Sequence, residues 1–179
     1  MAEEQLILVD ERNRATGTAG KTAVHRAGLL HRAFSIFMVD ARGRLLLQQR
    51  SRKKYHSGGL WANSCCGHPR PGERTLTAAR RRLGEELGVN GDLSFGFFAR
   101  YQSKLGKGMH ENEFVYVYFG LLDERPNPNP DEIADVEWLH LDEIRRRLKR
   151  RPDAFTVWFQ HYFALHHADI ARLAKMTTC

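Results

Sequence analysis

A chain of 179 residues, 42% hydrophobic and 27% charged, has the make-up of a soluble globular protein long enough to bury one substantial core. Its apolar runs fall short of the ~18 residues that span a bilayer, and the opening MAEEQ lacks the basic-then-apolar layout of a secretory leader. A net charge of +7 points toward an anionic partner, and three cysteines, two of them adjacent, make no disulfide framework, so a reducing cytoplasm is the expected compartment.

In chain order, 5–9 is a short apolar run expected as a first strand, and 10–17 is a polar, turn-rich loop. The segment TGTAGKTAVHRAGLLHRAFS, 16–35, carries Lys21, His25 and His31. Residues 33–39 read as a strand, 40–43 as a tight turn and 44–49 as the hairpin partner, followed by a basic, glycine-ended loop, RSRKKYHSGG. After a short extended piece at 63–68, Pro69, Pro71 and Gly72 break the chain. Thr75 is placed to cap a helix on which Leu76, Ala79, Leu83 and Leu87 recur three and four apart, and Gly88 stands where a left-handed stop is usual. On that helix Glu86 follows Arg82 by one turn at the edge of the apolar stripe, and Glu85 points toward Arg81.

Beyond the helix, 93–101 reads as a strand with Phe95 and Phe97 on one face, 104–110 as a turn, and 111–122 as a long strand. A loop, NPNPDE, leads to a last strand at 136–141, a helix opened by Asp142 that ends in a run of basic residues, and an aromatic-rich final helix at 155–174. The plain reading of the basic runs at 80–82 and 145–151 is a solvated helix face. A single α/β domain over 1–179 is expected, with a mixed sheet between helices.

The stretch WANSCCGHPRPGERTLTAARRRLGEELGV, 61–89, gathers a thiol (Cys66), an imidazole (His68) and paired carboxylates within one strand-turn-helix unit. Elsewhere, His25 and His31 flank the entry to a strand. Glu111 and Glu113 stand two apart, so the period of a strand puts both carboxylates on one face where it enters the core. Three imidazoles and two carboxylates form a mixed N/O donor set, suited to octahedral Mn²⁺ or Mg²⁺, or to Zn²⁺ in an expanded sphere, rather than to structural zinc. Cys66 is then left free for chemistry.

The 61–89 stretch resembles the Nudix box, G-x5-E-x7-R-E-U-x-E-E-x-G-U, at Gly67, Glu73, Arg81, Leu83, Glu85, Glu86, Gly88 and Val89. Arg82 stands where hydrolases of that superfamily carry the first acid of their R-E-U-x-E-E core, so the resemblance supports a Nudix-type α/β/α sandwich and puts hydrolysis in doubt. Over roughly 5–165, TGT-x-x-K-x-x-x-H, H-x-AFS, W-x-NS-x-CGHP-x-x-GE, ENE and a tryptophan near the C-terminus resemble the type I isopentenyl-diphosphate Δ-isomerases. That resemblance implies interconversion of isopentenyl and dimethylallyl diphosphate through a tertiary carbocation. It implies Cys66 and Glu113 as the acid/base pair on opposite faces of the alkene, with Tyr101 beside Glu113. It implies a metal held by His25, His31, His68, Glu111 and Glu113, and Mg²⁺ held with the diphosphate by Glu86. Lys21, Arg50 and Lys54 would bind the diphosphate, Trp158 would face the carbon skeleton and Trp61 would help wall the pocket.

Two local differences set the chain apart from the family pattern: the spacing between His25 and His31 is one residue tighter, and Cys65 takes a place usually apolar, where a small buried residue is expected. The expected partner is a small-molecule diphosphate, with no nucleic acid and no membrane, and the chain is expected to be a monomer or weak homodimer. The competing readings are a Nudix pyrophosphohydrolase, which Arg82 and the Cys66–His68 pair disfavour, and a basic RNA-binding module, for which no stacking motif or recognition helix is present.

Overall fold

The computed structural model describes residues 3–106 and 108–177. Lys107, in the 104–110 turn, Cys179 and the first two residues of the MAEEQ opening lie outside the described residues. A hairpin, β1 (Gln5–Val9) and β2 (Ala15–Gly20), leads into a short helix, α1 (Lys21–Ala27). Next come β3 (His31–Val39), β4 (Leu45–Arg50), β5 (Trp61–Ala62), β6 (Cys65–Gly67) and α2 (Thr75–Leu87). The remainder is β7 (Ser94–Gly106), β8 (Met109–Leu121), β9 (Ile133–Leu139), α3 (Leu141–Arg150), a single 3-10 turn (Pro152–Ala154), α4 (Val157–Leu165) and α5 (His167–Thr177).

Among the described residues, nine strands join one mixed sheet. β8 runs parallel to β3 and antiparallel to β7, while β4 carries β5 and β9. The two halves meet at a single bridge, Val39 with Leu45, so β3 and β4 diverge beyond their turn instead of forming a long hairpin. On one face α2 buries Ala78, Ala79, Leu83 and Leu87 against Phe34, Ile36, Met38 and Leu46. On the other, α4 and α5 bury Phe159, Tyr162, Phe163, Ile170 and Ala174 against Phe37, Val115, Val117 and Phe119. Helices therefore cover both faces, as the α/β/α expectation requires. The arginine runs pair within the molecule: Arg81 with Glu73 and Glu85, Arg146 with Glu143, and Arg147 with Glu137 and Glu143. Among the described residues, no helix is long and apolar enough to cross a membrane.

Several local expectations are corrected. Residues 10–17 are not all loop: the chain turns back at Asp10–Arg14, where Asp10 accepts the backbone amides of Arg12 and Arg14, and Ala15 begins β2. Thr75 is the first helical residue of α2 and the N-cap position is Arg74, with no side-chain cap. Gly88 takes the left-handed conformation expected, at φ 66°. Phe95 and Phe97 do not share a face. A bulge between them shifts the register, so Phe95 joins Phe98 and Tyr116 on one surface while Phe97 stacks on His166 and packs toward α4 and α5. The expected helix at 155–174 breaks at His166, whose φ of −123° ends α4 and redirects α5.

Candidate active site and metal centre

Strand registry assembles the centre of the site. β8 alternates buried and half-buried positions, and its inward row runs Glu111, Glu113, Val115, Val117. Because β3 lies beside β8 with His31 directly opposite Glu113, and β7 places Tyr101 opposite Glu113, three functional side chains form one line across the sheet. Four residues along β3, Ser35 pairs with Cys66 of β6, so the thiol emerges on the same face as His31. Its neighbour Cys65 points the other way, fully buried against α2, which bears out the small-buried-residue expectation.

His25 comes from α1 and His68 from just after β6. The Nδ1 atoms of His25 and His31 lie 2.8 Å and 2.9 Å from the carbonyls of Lys21 and Leu29. Donation there fixes the tautomer and leaves each Nε2 free to ligate. His25 Nε2 lies 3.5 Å from Glu111 Oε2, His31 Nε2 lies 3.5 Å from Glu113 Oε1, and His68 Nε2 lies 3.0 Å from the same Oε1. His25 Nε2, His31 Nε2, His68 Nδ1 and Glu111 Oε2 are buried with no hydrogen-bond partner. Buried polar atoms are seldom left unpaired. Ligand atoms of His25, His31, His68 and Glu113 all fall within 4.8 Å of one another, so the donors fit a divalent ion.

The electrostatics divide the two carboxylates. Burial alone would raise Glu113, yet the contacts from His31 and His68 outweigh it and hold the carboxyl well below the usual range. Glu111 is raised by burial and by the charge of Glu113. Burial pushes His68 down to about 4 and keeps its ring neutral. Tyr101 donates its hydroxyl to Glu113 Oε2 at 2.8 Å, and burial keeps that phenol protonated. Burial also pushes the Cys66 thiol up to about 12, so it carries its proton. Its Sγ is 3.2 Å from Asn63 Oδ1 and 3.4 Å from Ser35 Oγ, which in turn meets Tyr162 at 2.7 Å.

A cavity of about 580 Å³ opens where β3 and β4 diverge, so it draws walls from both sides of the sheet. Of the residues singled out in the sequence, Cys66, Glu113, Tyr101, His68, Glu111, Glu86, Lys21, Arg50, Lys54 and Trp158 line it. His25 and His31 complete the donor cluster behind its wall. Trp61 does not line the cavity; it bridges to Phe155 and packs against the core beneath α4. Lys21 pairs with Glu4 at 2.8 Å, Lys54 with Glu132, and the Arg50 guanidinium lies 5.2 Å from the Trp158 ring centre. Arg82 binds Glu86 and Glu85 and reaches Glu132 at 3.3 Å, while Gln48 gives Glu86 a second donor at 3.3 Å.

The sequence reading missed Tyr55 and His56, which also line the cavity; His56 Nε2 is 3.6 Å from Glu111 Oε1. Burial and the nearby Arg50 charge push His56 down to about 3. Nothing in RSRKKYHSGG distinguishes that histidine from a solvated one. Ser35, Asn63 and Tyr162 around the thiol carried no signal either.

A mixed sheet between helices, with an acid-lined helix beside a buried donor cluster, defines a Nudix-fold protein, and residues 29–159 match the NUDIX domain. Among solved structures, the Deinococcus radiodurans protein DR0079 superposes with a TM-score of 0.72 at 23% identity, covering 98% of this chain and all of that one. The MutT protein of Methanosarcina mazei superposes at 0.61 with 16% identity, covering 82% of this chain and 94% of that one. Both likenesses are of fold alone. Sequence relatives are closer. Isopentenyl-diphosphate Delta-isomerase 2 of Aromatoleum aromaticum is 51% identical over 87% of this chain and 82% of that protein. Its namesake in Photorhabdus laumondii is 47% identical over 97% and 99%. The chain belongs to the isopentenyl-diphosphate Δ-isomerase family.

Proposed function

We propose that the protein interconverts isopentenyl and dimethylallyl diphosphate, with Cys66 and Glu113 as the acid/base pair. One observation carries the reading: a protonated thiol and a tyrosine-held carboxylate line the same cavity, beside a buried indole and below a rim of cations.

Transposing the double bond adds a proton at C4 and removes one from C2. One partner gives its proton to C4; the π electrons form the new C–H bond and leave a tertiary cation at C3. The other partner takes a proton from C2, and the released pair becomes the C2=C3 bond. Atoms and charge balance, and the two residues exchange roles in the reverse direction. The reaction calls for one group on each face of the flat alkene, within hydrogen-bonding reach of its carbons. Tyr101 orients Glu113, and Asn63 with Ser35 orients the Cys66 Sγ. The Trp158 ring offers a π face to the cation, worth about 2 kcal/mol in a desolvated site. Excluding water from this pocket protects the cation from capture as an alcohol.

His25, His31, His68, Glu111 and Glu113 would hold a divalent ion, Mn²⁺ or Mg²⁺ by donor type, with Zn²⁺ also compatible. When bound, it supplies positive charge that tunes the acidity of Glu113. Glu86 would hold Mg²⁺ against the diphosphate, and Lys21, Arg50 and Lys54 would neutralise that head group. The cytoplasm is the compartment that suits a catalytic thiol.

Arg82 speaks against a pyrophosphohydrolase, because the position that would bear an acid instead presents a guanidinium to Glu85 and Glu86. The test is deuterium incorporation from D₂O at C2 and C4 of isopentenyl diphosphate, with phosphate release followed in parallel. Wild type should exchange without releasing phosphate, and Cys66→Ala and Glu113→Gln should lose at least about 10²–10⁴-fold. Wild-type exchange in either variant removes the assignment, and phosphate release by wild type returns the hydrolase.

A further inference from the structure

The structure assigns His56 as a further ligand of the buried ion, giving this chain four imidazoles and two carboxylates around one metal. The inference rests on the metal centre proposed above and extends it by one residue from the basic loop between β4 and β5.

Two groupings of donors overlap. His25, His31, His68 and Glu113 form one, and His25, His56 and Glu111 form the other, each with its ligand atoms within 4.8 Å of one another. His25 belongs to both, and its Nδ1 is already committed to the Lys21 carbonyl at 2.8 Å. Only Nε2 remains, buried and unpartnered, so His25 can serve one ion and not two. The groupings therefore converge on a single centre. Glu111 fits the same conclusion: Oε2 faces His25 at 3.5 Å and Oε1 faces His56 at 3.6 Å. These separations are too long for good hydrogen bonds, yet they suit neighbouring ligands on one coordination sphere.

The His56 ring is also aimed. Its Nδ1 lies 3.1 Å from Ser57 Oγ, which leaves Nε2 toward the cluster, and its ring meets those of Tyr55 and Trp158 edge-on at centroid distances of 4.3 Å and 6.0 Å. Ser57 holds a left-handed backbone at φ 52°, a conformation uncommon for residues other than glycine. With His56 included the available donors number six, and if all six closed on one ion they would fill an octahedral sphere and leave no place for water. A closed sphere suits a pocket in which water would intercept a carbocation.

Wild-type protein loaded with Mn²⁺ decides the question without any variant. Electron paramagnetic resonance in H₂¹⁷O should show no broadening from coordinated water, and nitrogen modulation should report four imidazoles. His56→Ala should lose one imidazole, gain ¹⁷O broadening and bind Mn²⁺ at least tenfold more weakly in a competition titration. His56→Gln, which preserves polarity in the loop, should likewise lose one imidazole. Three imidazoles with a bound water in wild type, or unchanged Mn²⁺ affinity in His56→Ala, overturns the proposal. Deuterium exchange on the same samples separates the two readings. An isomerase with three imidazoles refutes only the His56 assignment, whereas four imidazoles in a protein that does not exchange refutes only the catalytic one.

Discussion

Arg82→Ala tests what the exchanged position of the Nudix box does. In the folded protein the guanidinium, 22% exposed, covers a Glu86 side chain that is only 5% exposed. Removing it leaves a buried carboxylate with one neutral donor, Gln48 at 3.3 Å. Breaking a buried ion pair from one side costs about 3–5 kcal/mol, and the partial exposure of Arg82 places this case at the low end, about 3 kcal/mol. For a chain of this length that lowers Tm by about 6–12 °C. If Glu86 holds Mg²⁺, the ion replaces the missing charge, and at a hundred times its Kd it returns about 2.7 kcal/mol. Calorimetry of wild type and Arg82→Ala, each with EDTA and with Mg²⁺, should show a large deficit that Mg²⁺ mostly closes in the variant alone. Arg82→Ala/Glu86→Gln should recover much of the loss without Mg²⁺, because the uncompensated charge is gone. A variant within 2 °C or so of wild type in EDTA would refute the buried-pair reasoning. A deficit indifferent to Mg²⁺ would remove Glu86 as an ion holder.

Trp158→Ala should cut the isomerisation rate about 30-fold, the equivalent of about 2 kcal/mol of lost cation–π stabilisation, while Trp158→Phe keeps most of it; equal rates in the two variants would show that the ring face plays no part. Stripping the metal leaves His25 Nε2, His31 Nε2 and Glu111 Oε2 buried without partners, so chelated protein should melt several degrees lower and regain its Tm with Mn²⁺. An identical Tm before and after chelation would contradict a resident ion. Gly88→Ala should destabilise by at least about 1–2 kcal/mol, since φ is 66° and a Cβ there would stand 2.7 Å from the Asn127 carbonyl; chemical denaturation with an unchanged midpoint would refute it.

The parts of this protein legible in its sequence are those set by local periodicity. The stripe on α2, its glycine stop, and the pairing of Glu111 with Glu113 on one face follow from repeats of 3.6 and 2, while the grouping of His25, His31 and His68 with those carboxylates follows from the family resemblance. Long-range contacts were not. Phe95 and Phe97 follow a clean alternation until Gly96, where a Cβ would meet Phe119 at 2.8 Å, and the bulge there reverses the pattern. His56 sits among lysines and serines in a loop whose path depends on left-handed Ser57 and Gly59. The break at His166 accompanies stacking on Phe97 from a distant strand. Trp61, which the resemblance implied as part of the pocket wall, instead pairs through β5 with β4 and bridges to Phe155.

His31 faces Glu113 across the parallel pairing of β3 with β8, between strands separated by nearly half the chain. Such a non-local junction requires a long loop to be ordered, and a slip of a single residue would turn the carboxylate to the opposite side. If the cluster holds a divalent ion, its capture amounts to a proofreading event: only a polypeptide whose distant halves have mated correctly presents both donors, and a bound ion would lock that seam against reopening.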